Sequence, residues 1–113
     1  MSIALRIEPV PFEAIEVREP SRVRVQLRGE FDLAYADLVA DRLRGLRERG
    51  VAVLLDLEEL SFIDAAGLRV ILTAADVARN DGWSFAVTRG SAPVRRLFAL
   101  VHAETYLTFD GGS

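Results

Sequence analysis

The chain has 113 residues, enough for one domain that buries a core without disulfide or metal staples. Half of the residues are hydrophobic and 27% are charged, and 17 acidic against 14 basic side chains give a formal net charge of -3. No basic patch or stripe suggests nucleic acid as a partner, and the lack of cysteine excludes disulfides and thiolate metal sites.

Taken in chain order, Ile3, Leu5 and Ile7 alternate before Pro9-Val10-Pro11 removes ladder donors, which predicts an edge strand or surface arm over 1–11. Phe12–Arg18 and Arg22–Arg28 read as a hairpin across Glu19-Pro20-Ser21. In its second strand Val23, Val25 and Leu27 face the core, and Arg22, Arg24, Gln26 and Arg28 face water. Gly29-Glu30-Phe31-Asp32 closes that strand, with Asp32 as N-cap of a helix over Leu33–Arg49. Tyr35, Val39, Leu43 and Leu46 form its apolar stripe, and Gly50 stops it.

Val51–Leu57 is apolar almost throughout, as expected of a central strand covered on both faces. A loop over 60–68 then leads into a helix over Ala65–Arg79, with a stripe of Leu68, Ile71, Leu72, Ala75 and Ala78. Asn80-Asp81-Gly82 reads as a turn and Trp83–Thr88 as another strand. Ser91 caps a third helix with Pro93 in its first turn and Val94, Leu97, Phe98 and Val101 on its inner face. Thr105–Phe109 reads as a last short strand, and 110–113 as a flexible tail. Strands alternating with helices through short connections require a largely parallel sheet, and the leading hairpin makes it mixed.

The Met1–Arg6 segment lacks the pattern of a signal peptide, and no apolar run approaches the roughly 18 residues of a membrane span. The expectation is a cytoplasmic protein with no membrane partner.

A strand that runs through a tight connection into a helix N-terminus is where α/β proteins place binding chemistry. Here that place is Leu60-Ser61-Phe62-Ile63-Asp64-Ala65-Ala66-Gly67-Leu68. Asp64 is both a helix cap and a candidate partner contact, and Asp32 has the same two readings. Ala65, Ala66 and Gly67 suit a tight helix start and equally a surface that another backbone approaches closely. The stripe turns Leu68, Ile71 and Leu72 inward and leaves Val70 at the rim of such a surface. An anion at this helix N-terminus would meet Asp64, which argues against nucleotide binding. His102, with no adjacent nucleophile or metal-ligand spacing, reads as a helix C-terminal residue, and Trp83 and Tyr35 read as packing. Arg42, Arg44, Arg47, Glu48 and Arg49 read as a solvated face. No P-loop, Gly-X-Ser-X-Gly or dinucleotide fingerprint is present, so neither a catalytic residue, a metal site nor a cofactor is expected, and the chain reads as a non-enzyme.

Three motifs together, Gly29-Glu30-Phe31-Asp32, Leu55-Asp56-Leu57 and Phe62-Ile63-Asp64-Ala65-Ala66-Gly67-Leu68, resemble the STAS family, and within it the stand-alone anti-sigma factor antagonists of bacteria. The resemblance spans roughly Phe12 to Phe109. It implies a single α/β STAS-like domain over 1–113, with a mixed, mostly parallel sheet, a leading β-hairpin and about three to four helices. It further implies partner switching: the domain docks on an anti-sigma factor with a kinase-like ATPase fold and frees a sigma factor. Asp32, Asp64, Ala65, Ala66, Gly67 and Val70 would form the docking patch. In the family the residue before the loop glycine is usually a phosphorylated Ser or Thr; here it is Ala66, which has no oxygen to phosphorylate. The alternative is a non-phosphorylatable STAS scaffold or a self-associating signalling domain, with a homodimer formed through exposed strand edges near Ile3–Ile7.

Overall fold

The computed structural model describes residues 11–110. The elements run β1 (Glu13–Arg18), β2 (Val23–Phe31), α1 (Leu33–Glu48), β3 (Val53–Ile63), α2 (Ala65–Asp81), β4 (Phe85–Val87) and α3 (Ala92–Leu100), followed by a 3-10 turn at Ala103–Thr105. The strands lie in the order β1-β2-β3-β4. β1 is antiparallel to β2, as the hairpin requires, and β2, β3 and β4 are mutually parallel. This is the expected mixed sheet with three helices. Of the expected arm over 1–11 and the expected flexible tail over 110–113, residues 1–10 and 111–113 lie outside the described residues, and Asp110 is held by Arg22 and by its N–H bond to Val87 O.

One hydrophobic cluster holds the layers together. It joins Val25, Leu27 and Phe31 of β2, Val53, Leu55 and Leu57 of β3, and buried side chains of all three helices. On α1 these are Val39, Leu43 and Leu46; on α2 Leu68, Ile71, Ala74 and Ala75; on α3 Val94 and Phe98. Leu54 and Asp56, of opposite parity, are buried outside that cluster. On their side Arg24 reaches Asp56 at 2.9 Å and Glu19 at 2.9 Å, and Arg22 reaches Glu19 and Asp110, each at 2.8 Å.

The largest departure from the sequence reading is the segment 60–63. It is not a loop: β3 continues without a break to Ile63, and Asp64 alone connects it to α2. A spacing of three separates the buried residues Leu57, Leu60 and Ile63, which conceals the strand from a period-two reading. Two irregularities in the β2–β3 register, between Gln26 and Arg28 and between Gly29 and Glu30, each insert one extra residue on β3. These bulges restore the inward direction at Leu60 and again at Ile63. Side chains satisfy the backbone around the first one. Leu57 N–H donates to Thr88 Oγ1 at 2.8 Å, and Glu58 N–H donates to Asp56 Oδ1 at 3.0 Å.

Other boundaries shift for local reasons. β2 runs on to Phe31 because its parallel partner extends to Ile63. Asn80 and Asp81 belong to α2, which ends at Gly82 in the left-handed conformation. β4 is only three residues long, since Trp83 is held aside by a bond from its Nε1 to Val51 O at 2.8 Å. The expected strand over Thr105–Phe109 is reduced to a single parallel bridge between Val87 and Phe109. Ser91 precedes α3 but makes no side-chain cap; its Oγ donates instead to Leu60 O at 2.5 Å. Tyr35 is 37% exposed rather than core, stacked on Phe12 at 4.4 Å, and Ala36 takes the buried place on α1. Val101 is also exposed.

Candidate functional site

Because β2 and β3 are parallel neighbours and end in register at Phe31 and Ile63, the helices that follow them start side by side. Asp32 caps α1, its Oδ1 accepting from Ala34 N–H at 3.0 Å. Asp64 does more. Its Oδ1 accepts from Gly67 N–H at 3.0 Å and so caps α2, while its Oδ2 accepts from Leu33 N–H at 3.2 Å in the first turn of α1. The Asp64 N–H in turn donates to Phe31 O at 3.2 Å. One carboxylate therefore takes up free backbone donors of two helices, where both macrodipoles present partial positive charge. These donors are no longer free for an external anion.

Gly67 is placed differently from the other residues of the expected patch. It is buried, and a Cβ built on it would lie 2.6 Å from Phe31 O, 3.0 Å from Phe31 Cδ2 and 3.1 Å from Ile63 Cγ1. The backbone that approaches Gly67 closely is the chain's own, so its small size serves the β2–α2 contact. Ala65 is exposed, Ala66 half-buried, and Asp32 and Asp64 half-buried. These four share the edge where the helices begin.

Val70 lies one turn down α2, half-buried. It lines a groove of about 270 Å³ between α1 and α2 rather than the rim of the helix starts.

Two residues absent from the sequence-based patch stand beside it. Leu33 is 77% exposed and Phe62 is 45% exposed. Leu33 is tied to Asp64 through its backbone, and Phe62 faces outward beside Glu30 in the register. The signal for Phe62 was present in the sequence: once Leu60 and Ile63 are both core, the residue between them must turn out. An apolar pair of this kind, flanking capped helix termini, suits a protein surface better than solvent. Among the described residues no group of three or more His, Cys, Asp or Glu side chains could hold a metal, and no helix is long and apolar enough to cross a membrane.

A family model described as "Mlab, STAS domain" matches residues 16–108. The anti-sigma-B factor antagonist of Bacillus subtilis (strain 168) is 28% identical over 76 residues, covering 67% of this chain and 70% of that protein. Among solved structures, an anti-sigma factor antagonist from Mycobacterium paratuberculosis superposes with a TM-score of 0.77 at 16% identity, covering 88% of this chain and 86% of that one. The anti-sigma factor antagonist SpoIIAA in its unphosphorylated form superposes with a TM-score of 0.64 at 21% identity, covering 80% and 83% respectively. At these identities the structural matches establish the fold.

Proposed function

We propose that this chain, which belongs to the STAS domain family, acts as an anti-sigma factor antagonist, docking on its anti-sigma factor through the paired N-termini of α1 and α2. The observation that carries this reading is the edge formed by Asp32, Asp64, Ala65 and Ala66, with Leu33 and Phe62 exposed beside it. Its relatives by sequence and by fold include proteins described as anti-sigma factor antagonists. The partner in this reading is an anti-sigma factor with a kinase-like ATPase fold, and its capture frees a sigma factor. Gly67 and Val70 support the patch from beneath and from the side.

Ala66 occupies the place of the phosphoacceptor. A phosphate there would add a charge of about -1.5 to -2 beside Asp64, enough to reverse the electrostatics of a small docking surface. With a methyl group instead, the complex is insensitive to that modification. The antagonist itself needs no catalysis for this role.

The test is calorimetric titration of a candidate anti-sigma factor, with release of its sigma factor followed in parallel. Ala65→Arg places a bulky charge on an exposed helix position and should abolish binding while the far-ultraviolet circular dichroism stays unchanged. Undiminished affinity of that variant sinks the docking patch. Incubation with the partner and ATP should leave the mass of residues 60–68 unaltered, and Ala66→Ser should gain one phosphate and lose affinity. A phosphate on Ser61 of the unaltered chain contradicts the insensitive reading. Unaltered binding by phosphorylated Ala66→Ser, together with self-association, would favour the scaffold role.

A further inference from the structure

The groove between α1 and α2 combines arginines with apolar side chains. The chain carries a net charge of -3, yet three arginines, Arg44, Arg47 and Arg69, and a single aspartate, Asp37, line this groove. Arg44 is paired with Asp41 at 2.9 Å, both exposed so that the pair is weak, and the half-buried Arg47 is paired with the exposed Asp81 at 3.2 Å. Arg69 makes no ion pair among the described residues. Between the arginines the lining is largely apolar, with Ala40 and Leu43 on α1, Val70, Ala74 and Val77 beside Thr73 on α2, and Trp83 at the far end.

The spacing of the lining residues sets the shape of the occupant. On α1 they fall at 37, 40, 43, 44 and 47, and on α2 at 69, 70, 73, 74 and 77. On each helix they recur three, four and seven residues apart, the face of a helix-packing seam. The two helices follow parallel neighbouring strands, so the seams run alongside each other. From Asp37 to Arg47 the trough extends about 15 Å at 1.5 Å per residue, which is longer than a compact ligand needs and matches close to three turns of helix. Alanines on the floor allow a third helix to approach at close range.

We propose that the α1–α2 groove docks an amphipathic α-helix of a partner protein, with an apolar stripe seated on Ala40, Ala74 and Val77 and Asp or Glu side chains facing Arg44, Arg47 and Arg69. The acidic flanks are the charge complement of the groove, and the apolar stripe is the complement of its floor. This groove adjoins the helix-start edge at Val70, and its occupant is tested independently of what docks there.

Trp83 is the only tryptophan in the chain and lines the groove, so its fluorescence reports occupancy directly. The probes are two synthetic 16-residue helices with one Leu/Ala stripe, flanked in one by Glu and in the other by Lys. The Glu-flanked peptide should shift the emission saturably and bind more tightly than the Lys-flanked one by roughly tenfold or more. The double variant Arg44→Glu with Arg69→Glu should reverse that preference, and Arg69→Glu alone should narrow it. Both positions are exposed, and circular dichroism confirms the fold of each variant. Equal affinity for the two peptides, or no saturable response to the acidic one, overturns the proposal. So does a groove-dependent dimer in sedimentation, which makes a second copy the occupant. A response to sodium dodecanoate without a response to the acidic peptide makes it a small anionic amphiphile.

Discussion

Replacing Gly67 by alanine gives the sharpest test of how the two helix starts are held together. On helix propensity alone the change should stabilise α2 by about 1 kcal/mol, because glycine is a poor helix former. Tertiary contact opposes it. The added Cβ would sit 2.6 Å from Phe31 O, and the oxygen cannot swing away as a side-chain tip could. That carbonyl accepts the Asp64 N–H, so moving it also disturbs the residue that caps both helices. Overpacking of this kind costs about 1–3 kcal/mol, and contact with backbone places it at the upper end. Subtracting the propensity gain leaves a net destabilisation of about 2 kcal/mol, or a fall in Tm on the order of 10 °C for a domain of this size. Gly45 supplies the control. It also lies within a helix, but nothing stands within 4 Å of its added Cβ, so Gly45→Ala should stabilise by up to about 1 kcal/mol. Urea and thermal denaturation of the two variants measure both signs. If Gly67→Ala is as stable as Gly45→Ala, the close approach of Phe31 is not what dictates glycine at position 67.

Further outcomes follow from the same structure. Asp64→Ala removes acceptors from two helices and should lower stability by about 2 kcal/mol, whereas Asp32→Ala removes one cap bond and should lose about 1 kcal/mol; urea midpoints compare them. Ser91→Ala deletes the bond to Leu60 O that fastens α3 to the extended half of β3 and should lose about 1 kcal/mol by the same assay. Hydrogen bonds from Arg22 and then Arg24 hold the Glu19 carboxyl below its usual range. A lowered folded-state value contributes stability that is present above the ordinary glutamate pKa and is lost as pH falls through the folded one. Melting temperatures measured across that acidic interval should fall for the native chain and flatten for Glu19→Gln, and equal slopes would remove Glu19 from the acid response.

Local pattern carried much of the architecture. The hairpin, the three helices and the parallel centre follow from alternation, helical spacing and the length of the connections. Both aspartate caps were legible because an acidic residue before an apolar helical stripe has one strong local use. The segment 60–63 was not legible as strand, since two bulges convert a period of two into a spacing of three. Tyr35 lies at helical spacing on α1 yet stays partly exposed, because Phe12 rather than the sheet covers its ring. The last strand shrank to one bridge, in which Val87 N–H donates to Thr108 O and Val87 O accepts from Asp110 N–H, each at 2.9 Å.

For the site, residue type alone was enough to read Asp32 and Asp64 ahead of two helices and, at position 66, an alanine that carries no hydroxyl. Those are properties of residue type and near neighbours. Tertiary structure alone decided that Asp64 serves both helices, that Gly67 is small for the sake of Phe31, and that Leu33 and Phe62 stand outside the core. Each of these joins parts of the chain about thirty residues apart or depends on a shift in strand register, and only the parallel pairing of β2 with β3 brings them together.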